Sequence, residues 1–204
     1  VLRPGEVFSQ NKTAGPYIPQ RGYKKGPTYV GTKFIETDGG GVCKVASTIY
    51  NVAVMANLKI VERHNHSMPV PYVPYGQDAT VSYGNKDFRF QNNTGHPILI
   101  WAEGIGNELY VAIYGQTMPP EVLWTHDVLE VTKAPKIVVK NKDLPPGEER
   151  LAHEGMDGAV VRTQITLLYP DGTCRVKDMG QNVYKPLPWI YEVGEGKEES
   201  AQGT

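Results

Sequence analysis

The chain has 204 residues, with 21 Lys and Arg against 22 Asp and Glu, a formal net charge of -1. That length makes one large domain or two small ones, and so even a charge excludes nucleic acid or an anionic membrane surface as the main partner. No stretch is apolar enough to span a bilayer, while 22 Gly, 16 Pro and 12 Tyr against 4 Phe point to a turn-rich, largely β protein.

The first 38 residues carry Pro4, Gly5, Gly15, Pro16, Pro19, Gly22, Gly26, Pro27 and Gly31 and are predicted to form loops and short strands. Pro4-Gly5-Glu6 reads as a turn leading into a short strand at Val7-Phe8-Ser9, and residues 22–26 as an exposed turn. The chain begins inside what reads as an ordered segment, as a fragment cut from a longer protein would.

Gly39-Gly40-Gly41-Val42-Cys43 then opens a run with helical period. Val45, Ile49, Val52, Ala53 and Ala56 fall on one face, which predicts a helix over 43–57 closed by Asn57. Cys43 therefore sits in the first turn, where unpaired N–H groups and the helix dipole stabilise a thiolate and lower its pKa. A turn N–H there can also face a developing oxyanion. The competing reading is a small buried cysteine at the start of a core helix.

Residues 58–67 read as a strand, with Leu58, Ile60, Glu62, His64 and His66 on one face. The prolines at 69, 71 and 74 make an extended connector that cannot be a central strand. Further strands are predicted at 77–83, with Asp78 near its start, and at 86–93. A hairpin follows, with strands at 97–103 and 108–115. The expected fold is α+β: a helix with an N-terminal cysteine packed on an antiparallel sheet, residues 1–116, followed by a small all-β domain, residues 117–194.

Thr117-Met118-Pro119-Pro120 marks the joint between them. Beyond it, strands are predicted at 121–133, 137–139 and 162–169. A turn at Pro170-Asp171-Gly172-Thr173 returns the chain through Cys174, and a polar tail over 195–204 is predicted to be disordered. One cysteine in each half is not a disulfide framework.

Cys43, then His64 or His66, then Asp78 supplies a thiol, a base and an orienting carboxylate in an order shared with papain-like and transglutaminase-like enzymes. Asp87 is a rival for the carboxylate. Between the histidines, His66 is preferred as base because it lies nearer the proline-rich bend. The same four residues, Cys43, His64, His66 and Asp78, could instead hold zinc with one position open to water. Gly40, Gly41 and Val42 are candidates for the oxyanion side, and Arg63, Ser67 and Tyr72 for the substrate side. Glu62 and Arg63 could equally form surface ion pairs. His96, His126 and His153 read as exposed bystanders in turns.

Several separated motifs resemble the VanW family: Gly39-Gly40-Gly41-Val42-Cys43 with Ser47-Thr48-Ile49-Tyr50-Asn51, Glu62-Arg63-His64-Asn65-His66-Ser67, Tyr72-Val73-Pro74, Gly76, Asp78-Ala79-Thr80-Val81, and Asp87-Phe88 with Asn92-Asn93-Thr94-Gly95. The opening Pro4-Gly5-Glu6, Phe8-Ser9 and Gly22-Tyr23 fit the same pattern. Asn65 stands where that family often has proline. The resemblance covers roughly residues 3–115. It implies an extracytoplasmic cell-wall protein of a Gram-positive bacterium, from a family named after glycopeptide-resistance gene clusters. It also implies L,D-transpeptidase action on peptidoglycan with Cys43 as nucleophile, no cofactor, and peptidoglycan stem peptides and glycan as partners. Any membrane attachment would lie outside this chain. Gly147, Gly155, Gly158, Gly172 and Gly194 make the second half resemble a five-glycine (G5) surface domain, which implies wall docking. The alternatives kept open are a non-catalytic wall-binding protein and a zinc-dependent wall hydrolase.

Overall fold

The computed structural model of the protein describes residues 1–30 and 33–195; most of the predicted tail, 196–204, lies outside the described residues. The chain opens with β1 (Val7–Ser9) and a five-residue helix, α1 (Gln10–Ala14), whose N-cap Ser9 accepts from the Lys12 N–H at 3.1 Å. The sequence reading passed over α1, which is too short to show a helical period. It also passed over the hairpin β2 (Lys25–Val30) and β3 (Lys33–Asp38). The long helix α2 (Val42–Met55) follows the glycine run, with Gly41 as its left-handed N-cap at φ 93°. Asn57 turns the chain out of α2 at φ 52°, a conformation asparagine tolerates better than most residues.

The buried stripe of α2 is Ala46, Ile49, Tyr50, Ala53 and Val54. It is rotated from the predicted face, because Val45, Val52 and Ala56 lie on the flanks and are only half-buried. Beyond α2, β4 (Lys59–Glu62) and β1 flank β5 (Arg89–Gln91) in a three-stranded antiparallel sheet. The strand predicted over 58–67 therefore ends at Glu62. Its neighbour β5 begins at Arg89, opposite Glu62, so residues 63–66 have no strand to pair with. The predicted strand over 77–83 is likewise an extended segment, tied to its neighbour by the Thr80 N–H donating to the His64 carbonyl at 2.8 Å. Side chains rather than a ladder hold these two segments together.

The hairpin predicted near the end of the first half is present as β6 (Leu99–Ile105) and β7 (Glu108–Tyr114). The second half contains β8 (Glu121–Thr132), β9 (Lys136–Asn141), β10 (Glu149–His153), β11 (Gly158–Leu168), β12 (Cys174–Tyr184) and β13 (Trp189–Gly194). Strands β8, β11 and β12 form one antiparallel sheet with β11 in the middle. In the other, β13 pairs parallel with β9 and antiparallel with β10. His126 and His153 lie within β8 and β10, not in turns; His126 is half-buried and stacked on Trp124, with ring centroids 6.0 Å apart. Of the five spaced glycines, Gly155 and Gly158 sit where an added Cβ would meet backbone at 2.6 Å, and Gly194 packs onto Pro145. Gly147 and Gly172 are at turns.

One apolar core spans the Pro119-Pro120 joint. Alternation along β11 turns Val161, Thr163, Ile165 and Leu167 inward. Ile165 and Leu167 join Tyr50, Phe88, Phe90, Leu58 and Ile98 in a single cluster. The Tyr50 ring stands edge-on to Phe88 at 5.7 Å and to Trp124 at 6.0 Å. Replacing Ile165 by Ala should cost about 2–5 kcal/mol and lower the midpoint of thermal unfolding for signals from both halves together. Two separate transitions, with only the later half shifted, would contradict a shared core.

Candidate active site

Four short pieces of chain meet at the N-terminus of α2. The helix brings Cys43 as its second residue, half-buried. The glycine turn before it packs against β2 so tightly that a Cβ on Gly26 would stand 3.1 Å from the Gly40 Cα, so neither position accepts a side chain without a shift. The segments 63–66 and 78–81 then close over the thiol. Cys43 Sγ lies 3.3 Å from Thr80 Oγ1 and 3.5 Å from both the N–H and the carbonyl of Val81. The His66 imidazole stands close enough to the same sulfur that each shifts the other's pKa, the thiol's down and the imidazole's up.

Asp78, 1 % exposed, lies behind His66. Its Oδ2 accepts from the His66 backbone N–H at 2.6 Å and from Nδ1 at 2.7 Å. Its Oδ1 accepts from Arg63 Nη2 at 2.9 Å and from the Tyr184 hydroxyl at 2.6 Å. Arg63 also donates from Nε to the Asp78 carbonyl at 2.6 Å and from Nη1 to Asn182. With Nδ1 spent on Asp78, His66 Nε2 is the free ring nitrogen, and it stands 3.3 Å from the Tyr72 hydroxyl.

These contacts fix the charges. Burial pushes the Cys43 thiol up, but hydrogen bonds from His66, Thr80 and the Val81 N–H, with the positive charge on His66, outweigh it and hold the thiol below its ordinary 9.0. Burial works against a charge on His66, yet Asp78 and Cys43 raise its pKa to about 9. Asp78 is penalised by burial and held below the usual carboxylate value by His66, Arg63 and Tyr184. These shifts all favour the thiolate–imidazolium form of the pair, backed by a carboxylate. Burial pushes Tyr72 up to about 12, so it stays a phenol. The arrangement can present a nucleophilic sulfur and a proton donor to one substrate atom pair.

The structure gathers Cys43, His66 and Asp78 and leaves His64 outside: its Nε2 pairs with Glu62 at 3.1 Å on a part-exposed surface. The zinc set is divided for the same reason, and no group of three or more potential ligands is gathered among the described residues. Asp87 caps the start of α1, accepting from Ser9 Oγ and the Asn11 N–H. Arg63 is an interior cation engaged with Asp78 and Asn182, which leaves it a positioning role. Ser67 is exposed, and its carbonyl accepts from the Lys185 N–H at 2.7 Å. The Gly40 and Val42 N–H groups donate within the turn, to Thr37 and Gly39, at 3.3 and 3.2 Å. The Gly41 carbonyl accepts from Lys44 and Val45.

Sequence reasoning missed Thr80, Ser47, Asn182 and Tyr184. A signal for Ser47 was present, because Cys43, Ser47 and Asn51 recur at i, i+4 and i+8 as one stripe of the helix. Ser47 Oγ accepts from the Ala79 N–H at 2.9 Å, and Asn51 donates to the Gln77 carbonyl at 2.7 Å, so the stripe straps the 77–79 segment to α2. Tyr184 and Asn182 had no local signal, lying more than 100 residues from the groups they bond.

Replacing Asp78 by Asn removes the charge that raises His66. The His66 pKa should fall toward 6.5 and that of Cys43 rise toward 9, moving the midpoint of a pH profile of Cys43 alkylation upward. An unmoved profile would show that Asp78 does not govern the pair. Tyr184→Phe keeps the ring packed on Tyr75, 5.1 Å between centroids, but removes a bond to a buried charge. It should cost about 1.5–3 kcal/mol in denaturant unfolding.

A Bacillus subtilis (strain 168) protein named Uncharacterized protein YoaR is 46% identical over 114 residues, covering 56% of this chain and 38% of the relative. The Vancomycin B-type resistance protein VanW of Enterococcus faecalis (strain ATCC 700802 / V583) is 27% identical over 124 residues, 58% of this chain and 45% of its own. The chain thus spans less than half the length of these relatives. A solved structure titled IgA1 Protease G5 domain structure covers 41% of this chain and 100% of its own, at 23% identity and a TM-score of 0.25, too loose a superposition to carry an argument. The family model described as VanW like protein matches residues 1–114, more than half of the 204 residues, and the chain belongs to the VanW family.

Proposed function

We propose that this protein is a cysteine acyltransferase of the bacterial cell wall, acting on peptidoglycan stem peptides as an L,D-transpeptidase. The observation that carries the reading is the line Cys43–His66–Asp78, a thiol of lowered pKa beside an imidazole whose far nitrogen is fixed by a buried carboxylate 2.7 Å away. Membership of the VanW family supports a cell-wall setting outside the cytoplasm. Among the described residues no helix is long and apolar enough to cross a membrane.

The chemistry follows from the charges. Cys43 Sγ attacks the carbonyl carbon that joins the L-centre of meso-diaminopimelate to the terminal D-Ala. A C–S bond forms, and the carbonyl oxygen takes the negative charge within reach of the α2 N-terminus. As the C–N bond breaks, His66 Nε2 gives its proton to the departing D-Ala amine, leaving a thioester and a neutral imidazole. The amine of a second stem then attacks the thioester and loses its proton to His66. The C–S bond breaks, the thiolate returns, and a 3→3 cross-link remains. Asp78 keeps Nε2 as the nitrogen that exchanges the proton, because Nδ1 is committed to the carboxylate.

Incubation with a defined disaccharide-tetrapeptide, wild type beside Cys43→Ala, tests this by mass spectrometry. The expected product is a dimer lacking one D-Ala, formed by wild type and reduced at least about 10³-fold in Cys43→Ala. His66→Ala should slow formation of the thioester by about 10²–10⁴-fold. If wild type gave neither dimer nor an adduct on Cys43, or if Cys43→Ala made dimer undiminished, the reading would be wrong.

A further inference from the structure

About 100° around α2 from the stripe that carries Cys43, Lys44 and Thr48 form one wall of an open cleft of about 450 Å³. The facing wall is the tip of the β6–β7 hairpin, with Asn107, Glu108, Leu109 and Tyr110. The size falls in the ordinary range for a small-ligand site. Its chemistry is mixed in a particular way. Lys44 brings a cation and Glu108 a carboxylate, and among the described residues neither belongs to an ion pair. Glu108 accepts from the Tyr110 hydroxyl, which holds one of its oxygens in place. Leu109 supplies apolar surface, and Asn107 and Thr48 supply hydrogen-bonding groups.

The cleft is joined to the reacting centre by contact. Lys44 Nζ lies over the Tyr72 ring, 5.8 Å from its centroid, and the Tyr72 hydroxyl is 3.3 Å from His66 Nε2. Gly41 lines the cleft and is also the N-cap of α2, two residues before Cys43. Lys44, Tyr72 and His66 thus run in sequence from the cleft to the reacting centre.

We propose that this cleft seats a zwitterionic peptide, Lys44 taking its carboxylate and Glu108 its amine. The class is a stem peptide with a free diaminopimelate amine and a terminal carboxylate. An uncharged glycan would leave both charged groups unanswered. The assignment of the class rests on the acyl-transfer reading of Cys43, while the charge pairing rests on the cleft alone. Donor and acceptor stems share this chemistry and differ in the terminal D-Ala.

The test is binding without turnover. The whole chain carrying Cys43→Ala is titrated, by calorimetry or NMR, with the stem tetrapeptide, with the tripeptide that lacks D-Ala, and with the disaccharide alone. Saturable binding of a peptide is expected, weakened about tenfold by Lys44→Met and again by Glu108→Gln, with the thermal midpoint of each variant unchanged. Tighter tetrapeptide binding assigns the cleft to the donor, and tighter tripeptide binding to the acceptor. The proposal is overturned if neither peptide saturates the protein, if both variants bind as tightly as their parent, or if the disaccharide binds with the same dependence on the two charges. Its failure is separable from that of the acyl-transfer reading. Peptide binding that depends on both charges, in a protein whose wild type forms no thioester, would keep the cleft and remove the reaction. A wild-type thioester with charge-independent binding would do the reverse.

Discussion

A carboxylate that is 1 % exposed and ionised survives only if donors replace the water it has lost. Asp78 meets that demand with four: the backbone and ring N–H of His66, the guanidinium of Arg63 and the hydroxyl of Tyr184. A buried charge of this kind is weak evidence for stability as such, since desolvation offsets much of the attraction. Its effect is on geometry. The four donors come from two separated parts of the chain, which the two carboxylate oxygens tie together. The extended segments 63–66 and 77–81, which have no sheet ladder of their own, are held in place largely by this one group and by the polar stripe of α2.

The state of Cys43 follows from that restraint. A half-buried thiol in an apolar setting would be inert, because burial disfavours its anion. Here burial is opposed by the Thr80 hydroxyl and the Val81 N–H at the sulfur and by the neighbouring His66, and the opposing contributions win. The imidazolium is charged because Asp78 is, and Asp78 remains charged because Arg63 and Tyr184 face it. The charge balance at the helix N-terminus thus depends also on residues that do not touch the sulfur.

The unit that carries this chemistry is larger than the family match. That match ends at residue 114, whereas Asp78 and Arg63 are completed by Tyr184 and Asn182 from β12. The apolar core crosses the same line, through Ile165, Leu167 and Trp124. The later strands therefore serve as part of the wall and floor of the site, whatever else they bind.

What the sequence determined by itself is local in origin. The glycine run, the helical period after Cys43, the left-handed exit at Asn57, the β6–β7 hairpin and the turn at Pro170-Asp171-Gly172-Thr173 all follow from backbone preferences within a few residues. The residue types needed for thiol chemistry, and their order, were legible too. The tertiary structure decided which of them meet. Alternation placed His64 and His66 on one strand face, but the strand ends at Glu62 where its partner ends, and the two histidines turn to different carboxylates. The full burial of Asp78, the buried pairing of Arg63 and the reach of Tyr184 depend on chain segments up to 119 residues apart. No local pattern encodes such contacts, because each is fixed by where distant elements pack and not by the residues beside it.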